Sequence, residues 1–252
     1  MRLLLLSDIH GNIEALEACI AAAPGHDFVM NLGDVVGYGA SPNEVVDRSR
    51  ELGHTFVRGN HDRAVSGLTD LKDFNQIAAI AALWTREQLS AEKIEWLRSL
   101  PHGPIQIEGL DDVQFVHGSP LDEDEYVVSV KEAFTSVRAS SVSLTFFGHT
   151  HLQGVFAINH SAGGEDIYPS YKTAGQSETY AFPLEPGSRY MVNPGSVGQP
   201  RDGDWRAAFA LYDSASRIIT FCRVPYALKS SQDRILAANL PPRLATRLAA
   251  GR

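Results

Sequence analysis

Aspartate, asparagine and histidine recur wherever a short apolar run of this 252-residue chain ends. Asp8 and His10 follow Leu3–Leu6, Asp34 follows Phe28–Leu32, and Asn60, His61 and Asp62 follow Thr55–Val57. His117 follows Val113–Val116, and His149 and His151 follow Leu144–Phe147. Side chains two apart in an extended segment point the same way, so one carboxylate and one imidazole at Asp8 and His10 can converge. Alone, such a pair is an ordinary turn. Polar side chains satisfied within tight turns explain any one of these strand ends but not all of them together. In open α/β sheets the ligand site lies beyond the carboxyl ends of the strands. The remaining histidines, His26, His54, His102 and His160, lack this placement and read as surface or strand-edge residues.

The candidate ligands are Asp8, His10, Asp34, Asn60, His117, His149 and His151. They are too many for one ion and suit two ions that share a carboxylate, with room for water and substrate. Mixed imidazole and carboxylate ligation without cysteine favours Mn, Fe, Zn, Co or Ni. Mg and Ca prefer an all-oxygen shell and fit less well. The expected cofactor is therefore a pair of divalent transition-metal ions, manganese foremost.

Elements that could position these residues are legible on either side of them. Up to about residue 100 the pattern alternates strand and helix, which implies a parallel sheet with right-handed crossovers. One helix carries Ile13, Leu16, Ile20 and Ala23 on one face and stops at Pro24-Gly25. A second starts with Ser41 as N-cap, Pro42 and Glu44 completing a capping box. Helices are expected over about 75–88 and 91–99, and another opens at Ser129 with Glu132 and runs to about Arg138. After Pro101 strands dominate: a hairpin of Ile105–Ile107 with Val113–Val116, then strands near 153–158, 179–183, 189–192, 206–212 and 217–223. Residues 159–178 read as a long irregular loop, and about 229–250 as a helical tail interrupted by Pro241-Pro242. Both halves share one set of polar loops, so 1–252 is expected to be a single domain of two packed sheets.

Hydrophobic residues at 44% and charged residues at 21% suit a globular chain with a sizeable core. A net charge of −8 gives no global basic field for nucleic acid or an anionic membrane. A polyanionic substrate would need local positive charge, which bound metal ions can supply. Cys19 and Cys222 sit in a helix pattern and a strand pattern and read as small core residues rather than a disulfide. The leucines after Met1-Arg2 are too few for a signal sequence and run at once into Asp8, and no stretch is long enough to cross a bilayer. The expected location is the cytoplasm.

Asp8-x-His10, Gly33-Asp34, Gly59-Asn60-His61-Asp62, His117 and Gly148-His149-x-His151 resemble, in order, the five-block signature of calcineurin-like metallophosphoesterases. The resemblance covers nearly the whole chain and is strongest to the small bacterial and archaeal phosphodiesterase branch. It implies an α/β fold: a four-layer α/β/β/α sandwich with a dinuclear site on the shared edge of two sheets. It also implies Asp8, His10, Asp34 and His151 on one ion, and Asp34, Asn60, His117 and His149 on the other. Two ions about 4 Å apart lower the pKa of a water held between them and clamp both oxygens of an in-line displacement. The implied activity is hydrolysis of a phosphodiester, or else of a small phosphomonoester, on a small phosphate-ester substrate. His61 resembles the family histidine that protonates the leaving oxygen or contacts the phosphoryl group. Asp62 is expected either to pair with that imidazole and keep it protonated or to cap turn amides.

A further block, Asn193-Pro194-Gly195-Ser196-Val197-Gly198-Gln199-Pro200-Arg201, resembles a segment of the same branch. It is expected mainly as a tight turn, with Arg201 and also Arg58 as cationic candidates for substrate phosphate. One departure is plain. Ser/Thr phosphatases with this metal site carry Asp-Arg-Gly after the Gly-Asp block, whereas this chain has Val36-Gly37-Tyr38-Gly39. Substrate selection is expected from Tyr168, Tyr171 and Lys172 if the 159–178 loop folds toward the metals. The alternative to a hydrolase is a metal-binding protein-interaction scaffold on the same fold, which the intact ligand types and His61 disfavour.

Overall fold

The structure is a computed structural model that describes residues 1–53, 55–72, 74–159 and 163–252. The apolar run after Met1 forms β1 (Arg2–Leu6), and its alternation sends Leu4 and Leu6 to one face and Leu3 and Leu5 to the other. Both faces are buried, as expected of a strand in a covered parallel sheet. Strands β2 (Phe28–Asn31) and β3 (Thr55–Phe56) add parallel to it, separated by helices α1 (Ile13–Ala22) and α2 (Pro42–Glu51). After them come α3 (Asn60–Val65), α4 (Gln76–Gln88) and α5 (Ala91–Ser99).

The second half supplies β4 (Val113–Phe115), α6 (Val130–Ala139), β5 (Leu144–Phe146), β6 (Gly154–Asn159) and β7 (Gly163–Ile167). It continues with β8 (Glu178–Pro183), β9 (Arg189–Asn193), β10 (Ala207–Asp213) and β11 (Ile218–Val224), and ends in α7 (Leu228–Ala237) and α8 (Pro242–Ala250). One sheet has the order β3-β2-β1-β10-β11-β8 and the other β4-β5-β9-β6-β7. Each is mixed: β1 to β3 are parallel, as are β4, β5 and β9, and the remaining pairs are antiparallel.

The sheets face each other across a core of Leu3, Leu5, Met30, Tyr212 and Phe221 from one side and Phe115, Phe146, Val155 and Val192 from the other. Phe115 and Phe146 stack at 5.6 Å, and Phe146 meets Tyr212 of the facing sheet at 5.4 Å. On the outer face of the first sheet, α1, α2 and α5 cover Leu4, Leu6, Phe209 and Leu211. On the outer face of the second, α6 covers Phe156, Ile158 and Met191 through Ala133 and Val137. This is the expected four-layer sandwich.

Three local expectations are corrected. Ser41 does precede α2, but its hydroxyl makes no capping bond, and Glu44 instead reaches Arg234. Ile105–Ile107 forms no strand; a single bridge from Ile105 to Phe115 replaces the hairpin. The 159–178 stretch is partly regular, because β7 pairs antiparallel with β6. Further along, Tyr171 and the Lys172 amide are engaged away from the ligand residues, the latter by Glu178. The Tyr171 hydroxyl donates to Gln153 at 2.6 Å, and its ring lies under the buried guanidiniums of Arg206 and Arg223. His54 and His160 lie outside the described residues. The cysteines are free and buried, as expected.

The tail does not project. Leu240, Leu244 and Leu248 join Ile235, Ala78, Ala81 and Tyr38 in a small core of their own, which docks α7 and α8 beside the loop after β2. Phe146 contacts both sheets, so Phe146→Ala should cost about 3–5 kcal/mol of stability. Urea titration of the purified variant checks this, and a loss below about 1 kcal/mol would mean the two sheets do not share this core.

Candidate metal centre

The expected ligands all sit on loops leaving the carboxyl ends of parallel strands: β1 and β2 deliver Asp8, His10 and Asp34, and β3 delivers Asn60 and His61 at the start of α3. From the other sheet β4 delivers His117 and β5 delivers His149 and His151. Because both sheets place these ends along one edge, residues up to 143 positions apart in sequence meet there. Asp8, His10, Asp34, His61, His117, His149 and His151 are all buried.

The loops are bent sharply to bring this about. Asp8, His10, Asp34, His149 and His151 have φ between 49° and 64°, and Tyr38 has φ 58°. Left-handed backbone costs roughly 1–2 kcal/mol per residue outside glycine. Backbone of this kind persists only where the surrounding structure enforces it, and it clusters at functional sites. The adjoining glycines have a steric reason. A Cβ on Gly59 would overlap the Asp34 carboxylate, and one on Gly148 would overlap Ser7 and crowd Asp8.

Three imidazoles are fixed through the ring nitrogen that faces away from the centre. His10 Nδ1 bonds the Val36 carbonyl at 3.1 Å, His117 Nδ1 the Leu32 carbonyl at 2.7 Å, and His151 Nδ1 the Gln199 carbonyl at 2.6 Å. A carbonyl only accepts, so each Nδ1 carries a proton, and the Nε2 of His10 and of His151 presents a lone pair. Those lone pairs then face other acceptors. His10 Nε2 is 3.1 Å from His151 Nε2, and His151 Nε2 is 3.3 Å from Asp8 Oδ1. His117 Nε2 lies 3.2 Å from Asn60 Oδ1 and 3.2 Å from His149 Nδ1. Asp34 Oδ2 stands between the two groups, 3.6 Å from His10 Nε2 and 3.4 Å from His117 Nε2. Acceptors packed in this way repel unless a cation sits among them.

Electrostatics agree. Burial alone would raise the Asp8 and Asp34 carboxyls, but His151 acting on Asp8 and His117 and His61 acting on Asp34 outweigh it and hold both well below the usual carboxylate range. Burial pulls His10, His149 and His151 down, His149 to about 3. His117 moves the other way, to about 9, because Asp34 and Asp8 overcome its burial. The cluster thus draws a proton to the ring beside Asp34. The donor set fits divalent transition ions, and Asp8–His10–His151 and Asp34–His117–His149 each offer ligand atoms within 4.8 Å of one another.

The other expected site residues divide. His61 donates its backbone amide to Asp34 at 2.8 Å, and its ring is enclosed by Tyr38, His10 and Phe74. Burial lowers it to about 4, so it is neutral near pH 7. Asp62 does not hold that ring protonated. Its carboxylate accepts from the amides of Val36 at 3.2 Å and Gly59 at 3.1 Å, the turn-capping alternative, because α3 turns the carboxylate back onto the loops that carry Asp34 and Asn60. Arg58 pairs with Glu123 at 3.2 Å, a carboxylate that Arg63 also engages, so it is committed to structure.

The 193–201 block is the turn that was expected, pinned to the first loop: Val197 and Gly198 donate to the carbonyls of Ser7 and Asp8. Arg201 extends from it over the Tyr38 ring, 5.9 Å from the centroid. Sequence reasoning missed Tyr38, Phe74 and Tyr126. They wall a cleft of about 260 Å³ beside Asn60, His61 and His149, and Tyr126 packs on His149 at 3.9 Å. Tyr38 was flagged only as part of a departure; no local signal marked Phe74 or Tyr126.

With this geometry in view, comparison with known proteins decides the family. The model of the calcineurin-like phosphoesterase superfamily domain matches residues 1–217. The chain belongs to the calcineurin-like phosphoesterase superfamily. The chain is 35% identical over 254 residues to an uncharacterized protein of Methanocaldococcus jannaschii, covering 98% of this chain and 97% of that one. A crystal structure of a metallophosphoesterase from Sphaerobacter thermophilus is 39% identical and superposes with a TM-score of 0.84, covering 100% and 99% of the two chains. A hypothetical protein from Pyrococcus horikoshii shares the fold at 21% identity, with a TM-score of 0.80 over 100% and 98% of the chains. Among the described residues no helix is long and apolar enough to cross a membrane.

Gly148→Ala should push the loop carrying His149 off Asp8, costing about 1–3 kcal/mol and lowering metal content. Thermal denaturation with elemental analysis checks this; wild-type stability and wild-type metal content together would contradict the packing described.

Proposed function

We propose that this phosphoesterase is a dinuclear metal-dependent phosphohydrolase that acts on a phosphodiester more readily than on a phosphomonoester. The observation that carries the reading is the convergence of His10, His151 and Asp8 at one point, and of His117, His149 and Asn60 at another, with Asp34 Oδ2 between them. Asp8, His10, Asp34 and His151 would hold one ion, and Asp34, Asn60, His117 and His149 the other, manganese foremost with Fe, Zn, Co or Ni as alternatives. When bound, two such ions supply water acidified for attack and neutralise charge on the phosphoryl oxygens.

The chain's own residues account for the remainder. His61 lines the cleft beside both groups, and its burial keeps the ring neutral, so it serves the phosphoryl group or the leaving oxygen as a hydrogen-bond donor rather than as an imidazolium. Tyr38 and Phe74 hold its plane against Asp34. Arg201 supplies positive charge from the rim, and a small phosphate ester fits the cleft better than a polymer. The free buried cysteines suit a reducing compartment, and the cytoplasm is the proposed setting.

His61→Ala should keep both metals yet lose about 10²–10⁴ in kcat on a chromogenic phosphodiester with Mn. Unchanged turnover would remove His61 from the chemistry. Asp34→Asn should lower metal content at both positions, which elemental analysis reads directly. Absence of hydrolysis of both diester and monoester, across several metals, would overturn the proposal.

A further inference from the structure

Tyr38 occupies the position at which the chain departs from the Asp-Arg-Gly pattern, and its surroundings are unusual. It holds a left-handed backbone, φ 58°, between Gly37 and Gly39, although it is a bulky residue. Its ring packs on His61 at 4.4 Å and on His10 at 4.7 Å. Two guanidiniums lie over the same ring: Arg201 at 5.9 Å, from the turn after β9, and Arg247 at 5.8 Å, from α8. Arg243, one helical turn before Arg247, shares its face of α8.

These arginines repel one another, and among the described residues no carboxylate side chain pairs with any of them. Arg201 bonds only the Gln199 side-chain oxygen, at 3.2 Å, and its Nε is buried without a partner. Arg247 bonds the backbone oxygen of Arg252. Elsewhere on the chain partnered arginines are common: Arg58, Arg63, Arg206, Arg223 and Arg234 all meet carboxylates. In a protein of net charge −8, arginines gathered without side-chain carboxylate partners among the described residues make a local site that favours an anion. There is space for one. A groove of about 460 Å³, lined by Asn75, Gln76, Ile77, Arg243, Leu244 and Arg247, shares Asn75 with the cleft beside His61.

We infer that Arg201, Arg247 and Arg243 form a second anion subsite adjoining the metal centre, and that the substrate is a phosphate ester carrying a second phosphate. The inference rests on the phosphohydrolase reading for the word substrate, but the anion subsite stands on its own geometry. Guanidiniums bind phosphate through paired N–H donors, which an ammonium cannot reproduce. The Tyr38 face holds two of them in place, and neither spends its N–H donors on a side-chain carboxylate among the described residues. The strained turn at Tyr38 has a function on this account, since it puts that face between the reacting centre and the subsite. The tail helices are likewise part of the site, because α8 brings Arg243 and Arg247 to it.

The test compares two pairs of probes. For binding, calorimetry measures thymidine 3′,5′-bisphosphate against thymidine 5′-monophosphate on the wild type, Arg247→Ala, Arg247→Lys and Arg201→Ala. For turnover, the p-nitrophenyl ester of thymidine 5′-phosphate is assayed with Mn, with and without a 3′-phosphate. The wild type should bind the bisphosphate at least about tenfold more tightly and prefer the 3′-phosphorylated ester by a similar factor, through charge-assisted hydrogen bonds to the second phosphate. Arg247→Ala and Arg201→Ala should each reduce both ratios several-fold, and Arg247→Lys should recover them in part. Equal affinity for the two nucleotides in the wild type, or an unchanged ratio in both alanine variants, would overturn the subsite. Selective bisphosphate binding with no hydrolysis of either ester would uphold the subsite and defeat the hydrolase reading.

Discussion

The structure depends on one electrostatic conflict: imidazole lone pairs and carboxylate oxygens aimed at the same points from loops that cannot retreat. His10 and His151 meet through nitrogens whose protons have been committed elsewhere, to the carbonyls of Val36 and Gln199. Those carbonyls belong to the loops after β2 and β9, so the backbone itself decides which nitrogen faces inward. Only a cation relieves the arrangement. His117, raised to about 9 beside Asp34, shows the same demand met by a proton. The two packed sheets, with aromatic rings interlocked between them, are what can hold such a conflict in place.

The strain is distributed as that view requires. Five of the buried polar groups at the centre, and Tyr38 beside them, hold left-handed backbone, while elsewhere among the described residues only Arg217 and Asn239 do so without being glycine. The glycines before Asn60 and His149 are needed because neighbouring loops pass within contact of the carboxylates. The turn 193–198 then ties the Asp8 loop to β9, so the first sheet and the second cannot slide without disturbing the centre. Stability and site geometry are therefore coupled at one edge of the sandwich.

Much of this was legible in the residue string. Short runs of three to five mostly apolar residues leading to Asp, Asn or His marked the strands and placed the polar residues beyond their carboxyl ends, and the unbroken leucines 3 to 6 suit a strand covered on both faces. What escaped was set by tertiary packing. Asp62 had two partners within reach, and only the path of α3 decided for the amides of Val36 and Gly59. Arg58 met Glu123 across 65 residues, a pairing no local pattern reveals. The 159–178 stretch lacked periodicity because β7 lies at an exposed sheet edge, where residues such as Glu165 need not be apolar. Leu244 and Leu248 marked a helical face in the tail, but nothing local showed that this face would dock on Tyr38 and bring the neighbouring Arg247 over its ring.

The most direct measurement of the central claim is the electron paramagnetic resonance spectrum of the protein reconstituted with two equivalents of Mn(II). Ions sharing the Asp34 carboxylate must be magnetically coupled, so the account predicts an exchange-coupled spectrum that develops as the second equivalent is added. The spectrum of isolated Mn(II) at both stoichiometries would contradict it.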